Sequence, residues 1–126
     1  MKILIVDDEV DFLNALEGVL RAHGYDVVRA LDGKQAREVL EEEKIDLIIS
    51  DVYMPTLDGI RFHGFVRQYT DARDVPFIFI SGYPNDYLRD LVANSSRDFF
   101  LRKPTPVEEI LALIGKLLRP PLENKP

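Results

Sequence analysis

Lys2-Ile3-Leu4-Ile5-Val6-Asp7-Asp8-Glu9 decides the fold, because four consecutive apolar residues run directly into three acids. A strand with one wet face alternates apolar and polar residues, whereas an unbroken apolar run suits a parallel strand covered on both faces. Phe77-Ile78-Phe79-Ile80, ending at Ser81, repeats the pattern. Shorter runs at 26–29, 47–49 and 99–101 bring the predicted strands to five, with 3–6 and 77–80. Amphipathic segments separate them. Phe12, Leu13, Leu16 and Leu20 mark a first helix closed by Gly24, and Ala36, Val39 and Leu40 mark a second. Phe62, Phe65, Val66 and Tyr69 mark a third, and Leu88, Leu91 and Val92 a short fourth. The fifth carries Val107, Ile110, Leu111, Ile114, Leu117 and Leu118. Thr105-Pro106-Val107-Glu108 ahead of it reads as a capping box with proline at the first helical position.

Strands alternating with helices predict an α/β fold: a flavodoxin-like (βα)5 doubly wound sandwich with a parallel sheet in the order 2-1-3-4-5. The 126 residues suit one domain, expected over 1–118, with the Pro-rich 119–126 as a tail or linker stub. A net charge of −6 argues against direct nucleic-acid binding. The absence of cysteine excludes disulfides and thiol chemistry, and two distant histidines make no zinc site. No apolar stretch approaches the roughly 20 residues that span a bilayer, and no signal-peptide pattern follows Met1, so the expected location is cytoplasmic, off the membrane.

The polar residues fall at the C-terminal ends of the strands: Asp7 and Asp8 after the first, Asp51 after the third, Ser81 after the fourth, Lys103 after the fifth. With the order 2-1-3-4-5 the chain reverses between strands one and three, and ligands of open α/β sheets bind in that crevice. Three carboxylates there must take up protons or attract a cation. Magnesium suits them, being a hard ion that uses one or two carboxylates, keeps several waters and leaves room for a phosphate. One Mg²⁺ and Lys103 neutralise the three acids, and a carboxylate beside a metal can attack phosphorus. Asp51 is the candidate nucleophile.

Ile5-Val6-Asp7-Asp8-Glu9, Asp51-Val52-Tyr53-Met54-Pro55 with Asp58-Gly59, Ser81-Gly82-Tyr83 and Lys103-Pro104 together resemble the receiver domain of two-component response regulators, the CheY-like superfamily. Asp8, Asp51, Ser81 and Lys103 follow one another at separations of 43, 30 and 22 residues, and the resemblance covers 2–118. It implies a phosphorylation-dependent switch that catalyses only its own phosphorylation and dephosphorylation. Asp51 would accept phosphate from a sensor histidine kinase or phosphotransfer protein. Mg²⁺ would be held by Asp8, Asp51 and the Tyr53 carbonyl, with Asp7 positioning a metal-bound water, while Ser81 and Lys103 read the phosphoryl oxygens. The Lys103-Pro104 bond would be cis. Ser81 and Phe100 would form the switch, Phe100 turning inward beside small Gly82. The surface of the fourth helix, fifth strand and fifth helix would change, binding a partner or forming a homodimer. Tyr53 and Tyr83, each two residues past an active-site group, would shield the phosphoryl group from water.

Departures from the family pattern are Ser96-Arg97, where a Gly-Ala pair is usual, and Phe100, which cannot hydrogen-bond where tyrosine is common. Phe99 reads as core, His23 as a helix-end and His63 as a helix-surface residue, Asp58-Gly59 as a turn and helix start, and Glu41-Glu42-Glu43 as a solvated helix end. An aspartate-nucleophile phosphatase is a competing reading, but Tyr53 stands where those enzymes carry a second aspartate. A flavin site would need a phosphate cradle where Asp7-Asp8-Glu9 repels one.

Overall fold

The computed structural model describes residues 1–54, 57–83 and 85–118, so the expected tail at 119–126 lies outside the described residues. In chain order the elements are β1 (Lys2–Val6), α1 (Val10–Ala22), β2 (Asp26–Ala30), α2 (Gly33–Glu42) and β3 (Leu47–Asp51), then α3 (Gly59–Tyr69), β4 (Phe77–Ser81), α4 (Asp86–Ala93), β5 (Asp98–Arg102) and α5 (Val107–Leu117). All strand pairs are parallel and the order is β2-β1-β3-β4-β5, as the sequence predicts.

Alternation along each strand divides the core into two layers. Ile3 and Ile5 of β1, Leu47 and Ile49 of β3, and Ile78 and Ile80 of β4 pack with Leu13, Leu16 and Leu20 of α1 and with Ile110 and Ile114 of α5. Leu4, Val6, Ile48, Phe77 and Phe79 face the other way, onto Ala36 of α2, Phe62 and Val66 of α3 and Leu88 of α4. β1, β3 and β4 therefore read as continuous apolar runs because both faces are roofed. The register sets Val6 beside Ser50, Asp51 beside Ile80 and Ser81 beside Arg102, so the C-terminal strand ends form one rim.

Local signals explain most boundaries. Gly24 ends the first helical segment at φ +89°, and Asp32, Asp58 and Asn85 cap α2, α3 and α4 by accepting from the backbone N–H groups of Gln35, Arg61 and Leu88. The expected capping box at Thr105 does not form. α5 begins at Val107 with no side-chain cap, and the Thr105 hydroxyl donates instead to the Arg102 carbonyl at the end of β5.

The apolar stripe of α3 also differs from the expected one. Tyr69 is exposed, and His63, expected on the helix surface, is buried against the Phe77 and Phe79 rings. Its Nε2 lies 2.8 Å from Asp98 Oδ1, which also accepts from Arg67 at 2.6 Å, while Ser95 donates to Asp98 Oδ2 at 2.7 Å. Burial would raise the Asp98 carboxyl, but bonds from His63, Ser95 and Arg67 outweigh it and hold the group well below the usual carboxylate range. Arg97, in the departure ahead of β5, pairs with Asp74, and its carbonyl accepts from Phe77 N–H and Arg67. The turn that lacks Gly-Ala is thus tied to α3 and β4 by polar contacts.

Candidate active site

The rim of C-terminal strand ends carries the candidate side chains. Asp7 N–H donates to the Ala30 carbonyl at 3.1 Å, continuing the β1–β2 ladder one residue past the strand, and Asp7 Oδ1 accepts from Glu9 N–H at 2.9 Å as the chain turns into α1. Asp7 is thereby buried while Asp8, next along, stays exposed. Asp51 ends β3, and its Oδ1 accepts from the N–H groups of Val52 at 2.7 Å and Tyr53 at 3.4 Å. Behind it, a Cβ on Gly59 would lie 2.1 Å from the Asp51 carbonyl oxygen. Only glycine lets α3 begin this close, so Asp58-Gly59 is the helix start that the sequence suggests and also the backing of the Asp51 loop.

Asp7, Asp8 and Asp51 bring carboxylate oxygens within 4.8 Å of one another. Lys103 reaches them from the end of β5, where its N–H donates to the Ser81 carbonyl at 2.9 Å and its bond to Pro104 is cis. Nζ lies 2.7 Å from Asp7 Oδ2, 2.6 Å from Glu9 Oε1 and 3.6 Å from Asp51 Oδ2. Burial raises the Asp7 carboxyl, although Lys103 and the Glu9 N–H oppose it, and burial together with the Asp7 charge raises Asp51. Burial pulls Lys103 downward, but Asp7, Glu9 and Asp51 outweigh it and the ammonium is held above its ordinary range.

The carboxylates are hard oxygen donors with no nitrogen or sulfur among them, and they converge closely enough for an ion that takes six oxygens at about 2.0–2.1 Å. The donor set fits magnesium.

Ser81 completes the rim, its Oγ accepting from Tyr83 N–H at 3.1 Å. Asp8, Glu9, Asp51, Tyr53, Ser81, Gly82, Tyr83 and Lys103 line a cleft of about 490 Å³. Tyr53 and Tyr83 meet edge to face across it with centroids 5.6 Å apart, and Asn85 Nδ2 donates to the Tyr53 hydroxyl at 3.2 Å. Phe100 stands apart, half-buried on the α4 side, beside Phe79 in the sheet and lining a groove with Leu88 and Val92. The side chain beside Gly82 is that of Lys103, whose Cβ is 4.0 Å from where a Gly82 Cβ would stand.

Asp7, Asp8, Asp51, Ser81 and Lys103, expected at one rim, come together there. His23 caps the end of α1, with Nδ1 2.9 Å from the Val19 carbonyl oxygen. Two features were missed: Glu9 as a partner of Lys103, and Asn85 as a link from α4 to Tyr53. Pairs 94 and 32 residues apart leave no periodic signal.

Comparison with known proteins places the chain among receiver domains. The family described as response regulator receiver domain matches residues 3–115. The chain is 35% identical over 118 residues to the alkaline phosphatase synthesis transcriptional regulatory protein PhoP of Bacillus subtilis, covering 94% of this chain and 48% of that protein. It thus spans about half the length of the curated relatives it matches first. Among solved structures, the receiver domain from hybrid histidine kinase CckA superposes with a TM-score of 0.79 at 34% identity, covering 94% of this chain and 100% of that one. The receiver domain of sensor histidine kinase PA1611 from Pseudomonas aeruginosa, with magnesium coordinated in its active site cleft, gives 0.79 at 28% identity over 92% and 95%.

Proposed function

The chain belongs to the response regulator receiver domain family, the signalling switches of two-component systems, and we propose that Asp51 is its phosphoacceptor. In this reading residues 1–118 form the phosphoacceptor unit. The phosphodonor is a phosphohistidine of a sensor histidine kinase or phosphotransfer protein. An Asp51 carboxylate oxygen attacks phosphorus, the P–N bond breaks, and the departing imidazole takes a proton from solvent, leaving an acyl phosphate on Asp51. Lys103 and the Ser81 hydroxyl oppose the charge on the transferred oxygens. Asp8, Asp51 and the Tyr53 carbonyl would hold Mg²⁺, and Asp7 would orient water beside it. When bound, Mg²⁺ supplies positive charge against the phosphoryl oxygens and orients the phosphorus for in-line attack.

The domain catalyses only its own phosphorylation and dephosphorylation. Its output is a change in the face built by α4, β5 and α5, which follows as Ser81 at the end of β4 draws toward the phosphoryl group and Phe100 of β5 turns, and a partner or second copy docks there. Phe100 has no hydroxyl, so packing in the Leu88–Val92 groove sets the bias between states.

One observation carries this reading: Lys103 Nζ stands 2.7 Å from Asp7 and 3.6 Å from Asp51, on a rim shared with Ser81. Incubation with Mg²⁺ and acetyl phosphate should add one phosphoryl group, measured by intact mass, and Asp51→Asn should abolish it. Labelling of Asp51→Asn at the wild-type level would defeat the assignment. Beryllofluoride should alter amide exchange in residues 85–103, and unchanged exchange there would defeat the proposed output face.

A further inference from the structure

Lys103 commits its ammonium to one side of the cleft. Two of its three donors are taken, by Asp7 Oδ2 at 2.7 Å and Glu9 Oε1 at 2.6 Å, while Asp51 Oδ2 lies outside hydrogen-bond range at 3.6 Å. The Phe12 ring, with its centroid 4.7 Å from Nζ, also favours the ammonium where it stands. The two carboxylates are not equivalent: the Asp7 side chain is 1% exposed and that of Glu9 is 63% exposed. Separating Lys103 from buried Asp7 strands a charge away from water, whereas the Glu9 contact opens into solvent and is screened by salt. When negative charge gathers on Asp51, the Glu9 contact is therefore the one that yields.

We propose that Glu9 is a positioning residue that latches Lys103 away from Asp51 in the unphosphorylated state and releases it to the phosphoryl group. The proposal rests on Asp51 being the phosphoacceptor. Glu9 competes for the ammonium that the transferred oxygens need, so it slows phosphorylation and does not assist it. The latch is distinct from general repulsion of the phosphodonor, because it needs a carboxylate of the right reach.

Two substitutions separate these effects. Glu9→Gln removes the charge at constant size, and Glu9→Asp keeps the charge but withdraws it by one methylene from Nζ. Phosphorylation by acetyl phosphate, followed by intact mass over a range of donor concentrations at fixed Mg²⁺, should show a higher maximal rate in both variants. The gain should be about two- to fivefold, the size of one exposed ion pair. Rates equal to or below wild type in both variants would overturn the latch. So would acceleration in Glu9→Gln alone, which would identify long-range repulsion. In the metal-free protein, NMR should show the Lys103 ammonium protons exchanging with water faster in Glu9→Gln, and unchanged exchange would disprove the contact. Failure of the wild type to label at Asp51 would instead defeat the phosphoacceptor reading and the latch with it.

Discussion

His63 Nε2 lies 2.8 Å from Asp98 Oδ1, joining the middle of α3 to the first residue of β5 through a carboxylate that Arg67 and Ser95 also bind. Asp98 is nearly buried, so its charge is tolerated only because these partners surround it. Asp98→Asn should cost about 3 kcal/mol at pH 7, the usual size for removing one partner of a buried pair. The pH dependence has a definite sign. The folded-state pKa is depressed, so this stability is fully present above the unfolded value near 4, begins to fall below it, and is lost only as pH drops through the much lower folded value. Urea unfolding at pH 7 and pH 3 should show the gap between wild type and Asp98→Asn narrowing at the lower pH without closing. A constant difference would mean that Asp98 is not stabilised as a carboxylate.

Gly59 and Gly64 both lie in α3, yet alanine should act oppositely at the two. A Cβ at Gly59 would stand 2.1 Å from the Asp51 carbonyl oxygen and 3.0 Å from Val52 Cα, both backbone atoms of the loop that holds the candidate nucleophile. Gly59→Ala must push that loop outward, at a cost of about 1–3 kcal/mol, and should slow phosphorylation as well. A Cβ at Gly64 meets nothing within 4 Å, so Gly64→Ala should stabilise the helix by about 0.5–1 kcal/mol. Thermal unfolding of both variants checks the contrast, and equal shifts would refute it.

Five strands and their order follow from apolar runs too continuous for a one-sided sheet, as in Ile3 to Val6, and the order places acids, serine and lysine at one rim. Contacts made by long side chains across that rim leave no such trace. Glu9, just ahead of α1, has no partner legible in its local sequence until Lys103 arrives from 94 residues away. His63 reads as a polar surface position because its partner Asp98 is 35 residues distant, and a polar residue on an apolar stripe breaks the periodicity that reveals the stripe. Thr105 shows the converse, a local motif outbid by a tertiary contact. Its spacing from Glu108 matches a capping box, but the end of β5 takes its hydroxyl first.

Magnesium should stabilise the fold. Asp7, Asp8 and Asp51 crowd their oxygens within 4.8 Å, and Lys103 offsets one charge of three. An ion bound by the folded state alone adds about 1.4 kcal/mol at ten times its Kd and about 2.7 kcal/mol at a hundred times. Thermal midpoints in EDTA and in millimolar Mg²⁺ should therefore separate. Asp8→Ala should erase the difference while changing the EDTA midpoint little, since Asp8 is exposed. An undiminished shift in Asp8→Ala would remove that residue from the metal site.

The lifetime of the phosphorylated state should depend on Tyr53 and Tyr83 as a unit. Hydrolysis needs a water in line with the Asp51 acyl phosphate, and both rings line the cleft through which it must arrive. Each ring alone is substantially exposed, at 46% and 68%. Their edge-to-face contact at 5.6 Å and the Asn85 bond to the Tyr53 hydroxyl fix them as one cover. Losing most of the exclusion should speed hydrolysis about tenfold, equivalent to ~1.4 kcal/mol of barrier. Tyr53→Asn and Tyr83→Ala should each shorten the half-life by about this factor. The double variant should be little faster than either, because removing one ring already opens the cover. Tyr53→Phe keeps the ring and loses only the Asn85 bond, so it should stay nearer wild type. Tyr53 is expected to serve the metal through its backbone carbonyl, and Mg²⁺ binding should persist in all four variants. Decay followed by intact mass after removal of the phosphodonor measures each half-life. Values at or above wild type in both single variants would show that the tyrosines do not shield the site, and fully multiplicative effects in the double variant would show that they act separately.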